Sequence, residues 1–504
     1  MNAGYLITRS AHYFGDRKAF VIDDSSVTYR QLNQRVNRLA NGLLSLGLQK
    51  GDRVGLLFNN CMEYLESYLA LYKSGLVWVR LNPRLSTKEL KRMIQDSGAK
   101  VLIRGPEFEG QAEAIAENLM KVIQVGKGHG LEYEDFLSRG ALTEPDVNVT
   151  PEDLSDIWYT SGTTGDPKGI MLTHRNILTC TQLLLSDVYA ISAEDKFLTP
   201  GALSHAASVR ILPFIIRGAT CYLHKQFNAG RIFSEIKYNG ITDLATVPTM
   251  LIALMDAPER TESDLSSLKR ITYAGSPLTV ERIKEAIEIF GLVLDQSYGQ
   301  AESIITITHL PRNEHAWTDD PERERRLASV GREYPLVRVW VVDENDQILP
   351  SGQIGEVVTR SDLVMKGYWN SPALTAEVMR NGWLHTGDLG YLDKGGYLFL
   401  VDRKHDMIIT GGLNVYPREV EEVLSAHPAV AQVCVFGRKD AFWGEVVTAA
   451  VVTRTGQTLN DAEMQGFAKK NLASYKCPKK VVFLDELPKN QYGKVVRKEL
   501  KNSI

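Results

Sequence analysis

The run DIWYTSGTTGDPKGIMLTHRN, residues 156 to 176, concentrates side chains suited to gripping a polyphosphate. Thr160, Ser161, Thr163 and Thr164 offer hydroxyl donors, Gly162 and Gly165 let backbone N–H groups close on anionic oxygens, and Lys168 adds a cation. The pattern predicts a short apolar strand, Ile157 to Tyr159, running into a loop that starts at Thr160. No GxxxxGK string followed by Ser or Thr occurs in the chain, so a Walker-type kinase or GTPase is unsupported. A phosphate-gripping loop of another kind remains, against the plainer alternative of a Ser/Gly/Thr surface linker.

Such a loop needs a scaffold, and the flanking sequence predicts one. From Thr28 the spacing of Leu32, Val36, Leu39 and Leu43 is helical, with Thr28 and Gln31 placed as a capping box. GDRVGLLF (51 to 58) and VWVRLN (77 to 82) read as strands around a helix that Gly75 ends, and KELKRMIQDSGAK with VLIRG repeats the alternation. This predicts an α/β fold: a large N-terminal domain of parallel-rich α/β layers, plus a β-rich subdomain beginning near residue 330. A small α+β C-terminal domain follows, with the boundary at about 402 to 405, giving domains 1–403 and 404–504. Residues 404 to 504 hold 15 Lys and Arg against 11 Asp and Glu, within a chain of 504 residues and net charge −3. Binding of nucleic acid through bulk charge is therefore disfavoured. The five cysteines are scattered with no CxxC pair, which argues against a disulfide framework or a zinc knuckle. No apolar run is long enough for a transmembrane segment, and the N-terminus lacks a signal-peptide pattern, so a cytoplasmic location is expected.

YTSGTTGDPKG resembles the signature loop of the adenylate-forming superfamily, the AMP-forming acid:CoA ligases and acyl-CoA synthetases among them. YGQAE (298 to 302), GDLG (387 to 390), DRKHDMIITGGLNVYPREVEEVL (402 to 424) and PKNQYGK (488 to 494) follow in the family's order. The resemblance implies ATP, Mg²⁺ and CoA as cofactor and co-substrates, with a carboxylic acid activated as acyl-AMP. It places Glu302 as the magnesium ligand. Tyr298 with Gly299 and Gln300, and Ala274, Gly275, Ser276 and Pro277 of the AGSP segment, fall around the adenine, and Ala274 also reaches the acyl group. Asp388 and Arg403 fall at the ribose, and Lys494 at the substrate carboxylate and α-phosphate. His405 falls at the hinge about which the mobile C-terminal domain rotates, where the family more often has Asp or Lys.

The same resemblance sets Gly412 at the pantetheine tunnel, and Trp443, Tyr475 and Lys479 at the CoA nucleotide, with Cys477 where related aryl-CoA ligases have an arginine. His205 matches the gate beside the substrate carboxylate, and the small Ala206, Ala207 and Ser208 behind it admit a bulky acyl group, fatty or aromatic. Arg210 has two readings: a partner for the second carboxylate of a dicarboxylic acid, or a cap on a surface strand or helix. The expected activity is ATP-dependent acyl-CoA synthesis. The alternative is a stand-alone adenylating enzyme that loads the pantetheine of a carrier protein. Which acid is used is open, and so is the choice between monomer and homodimer.

Overall fold

Thr28 accepts the Gln31 N–H while Gln31 accepts the Thr28 N–H, and this reciprocal cap starts the helix Tyr29–Ser45 where the sequence placed it. The computed structural model describes residues 2–23, 25–161, 167–317, 320–404, 406–411, 413–440, 442–489 and 495–504. It is a mixed α/β chain in two compact units, Met1–Arg338 with Thr359–Leu384, and Val339–Val358 with His385–Ile504.

Counted over the described residues, the first unit is built on two sheets. One has eight strands, with Leu154–Ser161, Val77–Arg80, Arg53–Leu57, Val101–Arg104, Lys121–Gln124 and Leu131–Glu132 running parallel, and Pro167–Thr173 and Gly367–Tyr368 added antiparallel at one edge. The other has nine. Its parallel core runs Leu294–Tyr298, Arg270–Ala274, Asp243–Thr246, Lys196–Thr199, Thr220–Leu223 and Lys18–Ile22. Strands such as VWVR and DLAT are buried at every position, because helices cover both faces of a parallel sheet. Leu57, Val79, Leu102 and Ile157 anchor one core, and Leu244, Ile271, Tyr273 and Leu294 another.

Thr160 and Ser161 correct the expected loop boundary. The strand runs from Leu154 through Ser161 because Thr160 pairs with Lys168 and Ser161 with Pro167 in an antiparallel ladder. The glycine-rich run therefore connects the two arms of a β-hairpin.

The second unit carries most of the β-rich segment, in which residues 388–392 pair antiparallel with residues 398–403. A further sheet holds Ile408–Thr410, Leu413–Val415, Val430–Asp440, Gly444–Thr453 and Lys480–Phe483. Helices Pro417–Ser425 and Asp461–Asn471 supply Leu424 and Met464 to its core of Val435, Val447 and Val451. Among the described residues no helix is long and apolar enough to cross a membrane.

Candidate active site

In the first unit several candidate residues sit where parallel strands end. Ala274 closes the strand Arg270–Ala274 and stands opposite Ser297, so AGSP and YGQAE leave from adjacent carboxyl ends of the nine-stranded sheet. Lys196–Thr199, in the same parallel set, leads to His205. Crevices outside the carboxyl ends of open parallel sheets are the usual ligand sites of such folds. Tyr298 and Ala274 are half-buried, Ser276 is half-buried, and Gly275 and Pro277 are exposed.

The YGQAE turn is held tightly. Ile305 N–H donates to Gln300 O and Ile307 N–H to Tyr298 O, each at 2.8 Å, which folds the chain back across Gly299. A Cβ on Gly299 would lie 2.3 Å from the carbonyl carbon of Ile305, so only glycine fits. Ile304 and Ile305 both adopt positive φ, 43° and 58°, a region that β-branched residues avoid. Local strain is thus stored directly after Glu302.

Glu302 and Lys168 converge on a residue that sequence reasoning missed. Tyr368 donates its hydroxyl to Glu302 Oε1 at 2.9 Å, and the Lys168 ammonium lies 5.6 Å from the centre of the Tyr368 ring. Burial and the neighbouring Glu302 carboxylate raise the Tyr368 phenol well above its ordinary value, so it stays a donor. Backbone bonds from Lys366 to Met171 and from Trp369 to Gly169 lace this MKGYWN segment to the hairpin. The donor set suits Mg²⁺, which takes few protein oxygens and leaves positions for phosphate and water. Tyr368 occupies one oxygen of the half-buried Glu302 and spares the other.

His205 is half-buried, edge-on to Trp158 with ring centres 6.3 Å apart, and its Nδ1 is 2.8 Å from Ser204 Oγ. Its carbonyl accepts from Arg80 Nη1 at 3.2 Å and from Ser208 Oγ at 2.9 Å. Arg80 lies between the rings of Trp78 and Trp158 and pairs with Asp156, on the strand that leads into the glycine-rich run. One buried ion pair therefore ties the His205 turn to the hairpin. Ala207 and Ser208 are buried. Arg210 is buried too, which removes the reading of it as a cap on a surface element.

The second unit groups the remaining candidates in two places. Asp388 stands directly opposite Arg403 in an antiparallel pair, with Nε 3.2 Å from Oδ1; the aspartate is buried and the arginine side chain half-exposed. Elsewhere Trp443 is 43% exposed with the Lys479 ammonium 5.4 Å over its ring, and Tyr475 is 37% exposed. Cys477 faces inward to the core, its Sγ 3.5 Å from the Ala473 carbonyl, so it offers no polar group to a ligand. Arg497 bonds Asp406 at 3.0 Å and Glu421 at 2.7 Å, and lies 3.6 Å from Asp402. Gly162, Thr163, Thr164, Gly165, His405, Gly412 and Lys494 lie outside the described residues, as does the side chain of Ser161.

Residues 7–369 match the AMP-binding enzyme family, and residues 419–494 match the AMP-binding enzyme C-terminal domain. A feruloyl-CoA synthase from Amycolatopsis is 36% identical over 480 residues, 95% of this chain and 94% of that protein. The medium/long-chain-fatty-acid–CoA ligase FadD8 of Mycobacterium tuberculosis is 34% identical, covering 99% of this chain and 89% of its own. Among solved structures, the amide bond synthetase McbA from Marinactinospora thermotolerans superposes with a TM-score of 0.90 at 30% identity, over 99% of both chains.

Proposed function

Because the chain belongs to the AMP-binding enzyme family and is an AMP-forming acid–thiol ligase, we propose that it condenses a bulky carboxylic acid, fatty or aromatic, with CoA at the expense of ATP. The convergence of Lys168 and Glu302 on Tyr368, beside the strand ends that bear Ala274 and Tyr298, is the observation that carries this proposal.

A carboxylate is a poor nucleophile and is repelled by the oxygens around the α-phosphorus, so the site has to gather positive charge there. Lys168 supplies one cation to the phosphates, with Thr160, Ser161, Gly162, Thr163, Thr164 and Gly165 offering donors around them. Mg²⁺ held at Glu302 would neutralise phosphate charge as pyrophosphate departs. Tyr298, Gly299, Gln300 and the Ala274 to Pro277 segment enclose the adenine, and Asp388 with Arg403 receives the ribose hydroxyls. Lys494 steadies the acid and α-phosphate during adenylation, and His205 gates the acid's entry.

The carboxylate oxygen bonds to the α-phosphorus and the bond to pyrophosphate breaks. The CoA thiol then adds to the acyl carbonyl, loses its proton, and expels AMP. Rotation about His405, between residues 1–403 and 404–504, would exchange Lys494 for the face bearing Gly412, Trp443, Tyr475 and Lys479. Stacking on Trp443 with Lys479 above it suits an adenine bearing phosphates.

The test is a panel of carboxylic acids incubated with ATP and CoA, followed by pyrophosphate release and mass spectrometry of the products. Acyl-CoA and AMP in equal amounts are expected. Pyrophosphate release with acyl transfer only to a carrier-protein pantetheine would replace CoA with that acceptor.

A further inference from the structure

Among the described residues of the first unit, buried Lys and Arg side chains are matched by carboxylates, with one exception. Arg80 meets Asp156 at 2.7 Å, Arg270 meets Asp243 and Asp295 at 2.9 Å each, and the buried ammonium of Lys73 meets Glu144 at 2.7 Å. Arg104 has Glu109 at 3.6 Å. Arg210 is as deeply placed, only 5% exposed, yet among the described residues no carboxylate comes within 4.0 Å of it. Its hydrogen bond is a long one, from Nη1 to the Tyr189 hydroxyl at 3.4 Å.

The other groups near it do not neutralise it. Cys180 and Tyr334 both lie close enough to feel the guanidinium, but burial pushes the Cys180 thiol up to about 12 and the Tyr334 phenol higher still, so both stay uncharged at neutral pH. A guanidinium does not deprotonate to escape burial. A fold that pairs its other buried cations has left this one for something else, because a buried charge without a partner opposes folding.

Its position says what that is. Arg210 ends the helix Ala207–Arg210, which begins two residues after His205. Cys180, a neighbour of Arg210, brings its Sγ to 3.7 Å from the carbonyl of Ile304, two residues beyond Glu302. Arg210 is thus buried on the helix that follows the His205 turn, with the small Ala207 and Ser208 between the two in sequence, and it neighbours the cysteine that touches the turn after Glu302.

We propose that Arg210 is the far anchor of the acyl site, and that the acid activated by this chain is a dicarboxylic acid whose second carboxylate Arg210 holds. The inference rests on the acid–thiol ligase function above and specifies its substrate. A carboxylate matches the two-pronged donor face of a guanidinium, and a monocarboxylic acid of the same length would leave the buried cation unpaired. One carboxylate, at the His205 end, bonds to the α-phosphorus as pyrophosphate leaves. The other remains ionised on Arg210 and takes no part in either bond change.

The experiment measures kcat/KM for acyl-CoA formation with length-matched pairs: hexanoate and adipate, octanoate and suberate, decanoate and sebacate, benzoate and terephthalate. The diacid of the best pair should exceed its monoacid by about 10²-fold, the scale of a buried charge pair. In Arg210→Met that ratio should collapse to about 1, and in Arg210→Lys, which keeps the charge without the fork, it should fall but stay above 1. Wild-type ratios of 1 or less throughout would overturn the inference, as would an Arg210→Met enzyme that lowers both members of a pair equally. Acyl-CoA formation with none of the acids would overturn the ligase function and this inference with it, whereas unselective turnover of monoacids would overturn this inference alone.

Discussion

The two units present chemistry in opposite ways. In the first, the candidate side chains project from carboxyl ends of strands whose interiors are buried, and buried ion pairs such as Arg80–Asp156 hold the turns that carry them. In the second, among the described candidates, Trp443, Tyr475 and the Arg403 side chain turn surface toward solvent, with Asp388 buried opposite Arg403. A site of the first kind is pre-shaped by folding, and damage to it is felt as lost stability. A site of the second kind is shaped by its ligand, and damage is felt as lost affinity or rate.

The strongest test of that contrast is Asp156→Ala. It strands the Arg80 guanidinium between Trp78 and Trp158 and should destabilise the protein by about 3–5 kcal/mol, measured by denaturant unfolding. A loss under 1 kcal/mol would remove the claim that this pair holds the His205 turn. Next comes Lys494→Ala, which should slow adenylation by about 10²–10³ while sparing thioester formation from supplied acyl-AMP. Equal losses in both half-reactions would contradict domain rotation.

Acidification sharpens the contrast further. His174 Nδ1 accepts the Ala3 N–H at 3.2 Å, and His315 Nε2 lies 3.0 Å from the Tyr273 hydroxyl while its Nδ1 faces the Pro311 carbonyl. Burial lowers both imidazoles to about 4, below the ordinary 6.5. The unfolded chain thus takes up protons that the folded chain refuses, so the stability is present above pH 6.5 and is lost as pH falls toward 4. Roughly 5 kcal/mol from the two imidazoles together should disappear across that window, and hydrogen exchange should show the first unit opening. His309 works the other way. Burial opposes its charge, but hydrogen bonds to Asp187 and Asp295 raise it, so its protonation partly offsets the loss. A melting temperature that does not fall between pH 6.5 and 4.5 would refute the assignment. The smallest effect is expected for Trp443→Ala, with KM for CoA raised about 10-fold through lost stacking and cation contact, and unfolding changed by less than about 0.5 kcal/mol.

Much of the scaffold was legible because strand and helix periods differ and the punctuation was clear. Gly75 stops its helix with φ 68°, and Thr28 caps its own. The end of the strand at Ser161 was not legible: small hydroxyl residues read as loop, and only the ladder to Pro167 and Lys168 extends them. One end of the nine-stranded sheet was hidden because Lys18–Ile22, next to the edge strand, pairs with Thr220–Leu223, some two hundred residues away in the sequence. Arg80 and Asp156 interrupt apolar runs and so look like solvent-facing positions. Tyr368 was missed for another reason: its segment MKGYWN is too short to show a helix or strand period. The KG-aromatic run following the β-rich boundary is the signal that would have found it.

The antiparallel strands that flank the glycine-rich run carry an electrostatic consequence. In a strand-to-helix phosphate loop, the helix macrodipole aims a fixed positive end at the ligand. Here the run is flanked by two antiparallel strands, and the next helix, His174–Leu183, begins only beyond the far end of the second arm. Attraction for the triphosphate would then come from side-chain ammonium groups, loop N–H donors and Mg²⁺ where one is bound, rather than from a helix macrodipole. Charges of that kind are screened by salt when they face solvent. Nucleotide capture in this architecture should therefore weaken with ionic strength more steeply than in a helix-capped loop, which makes salt a dial on the first half-reaction.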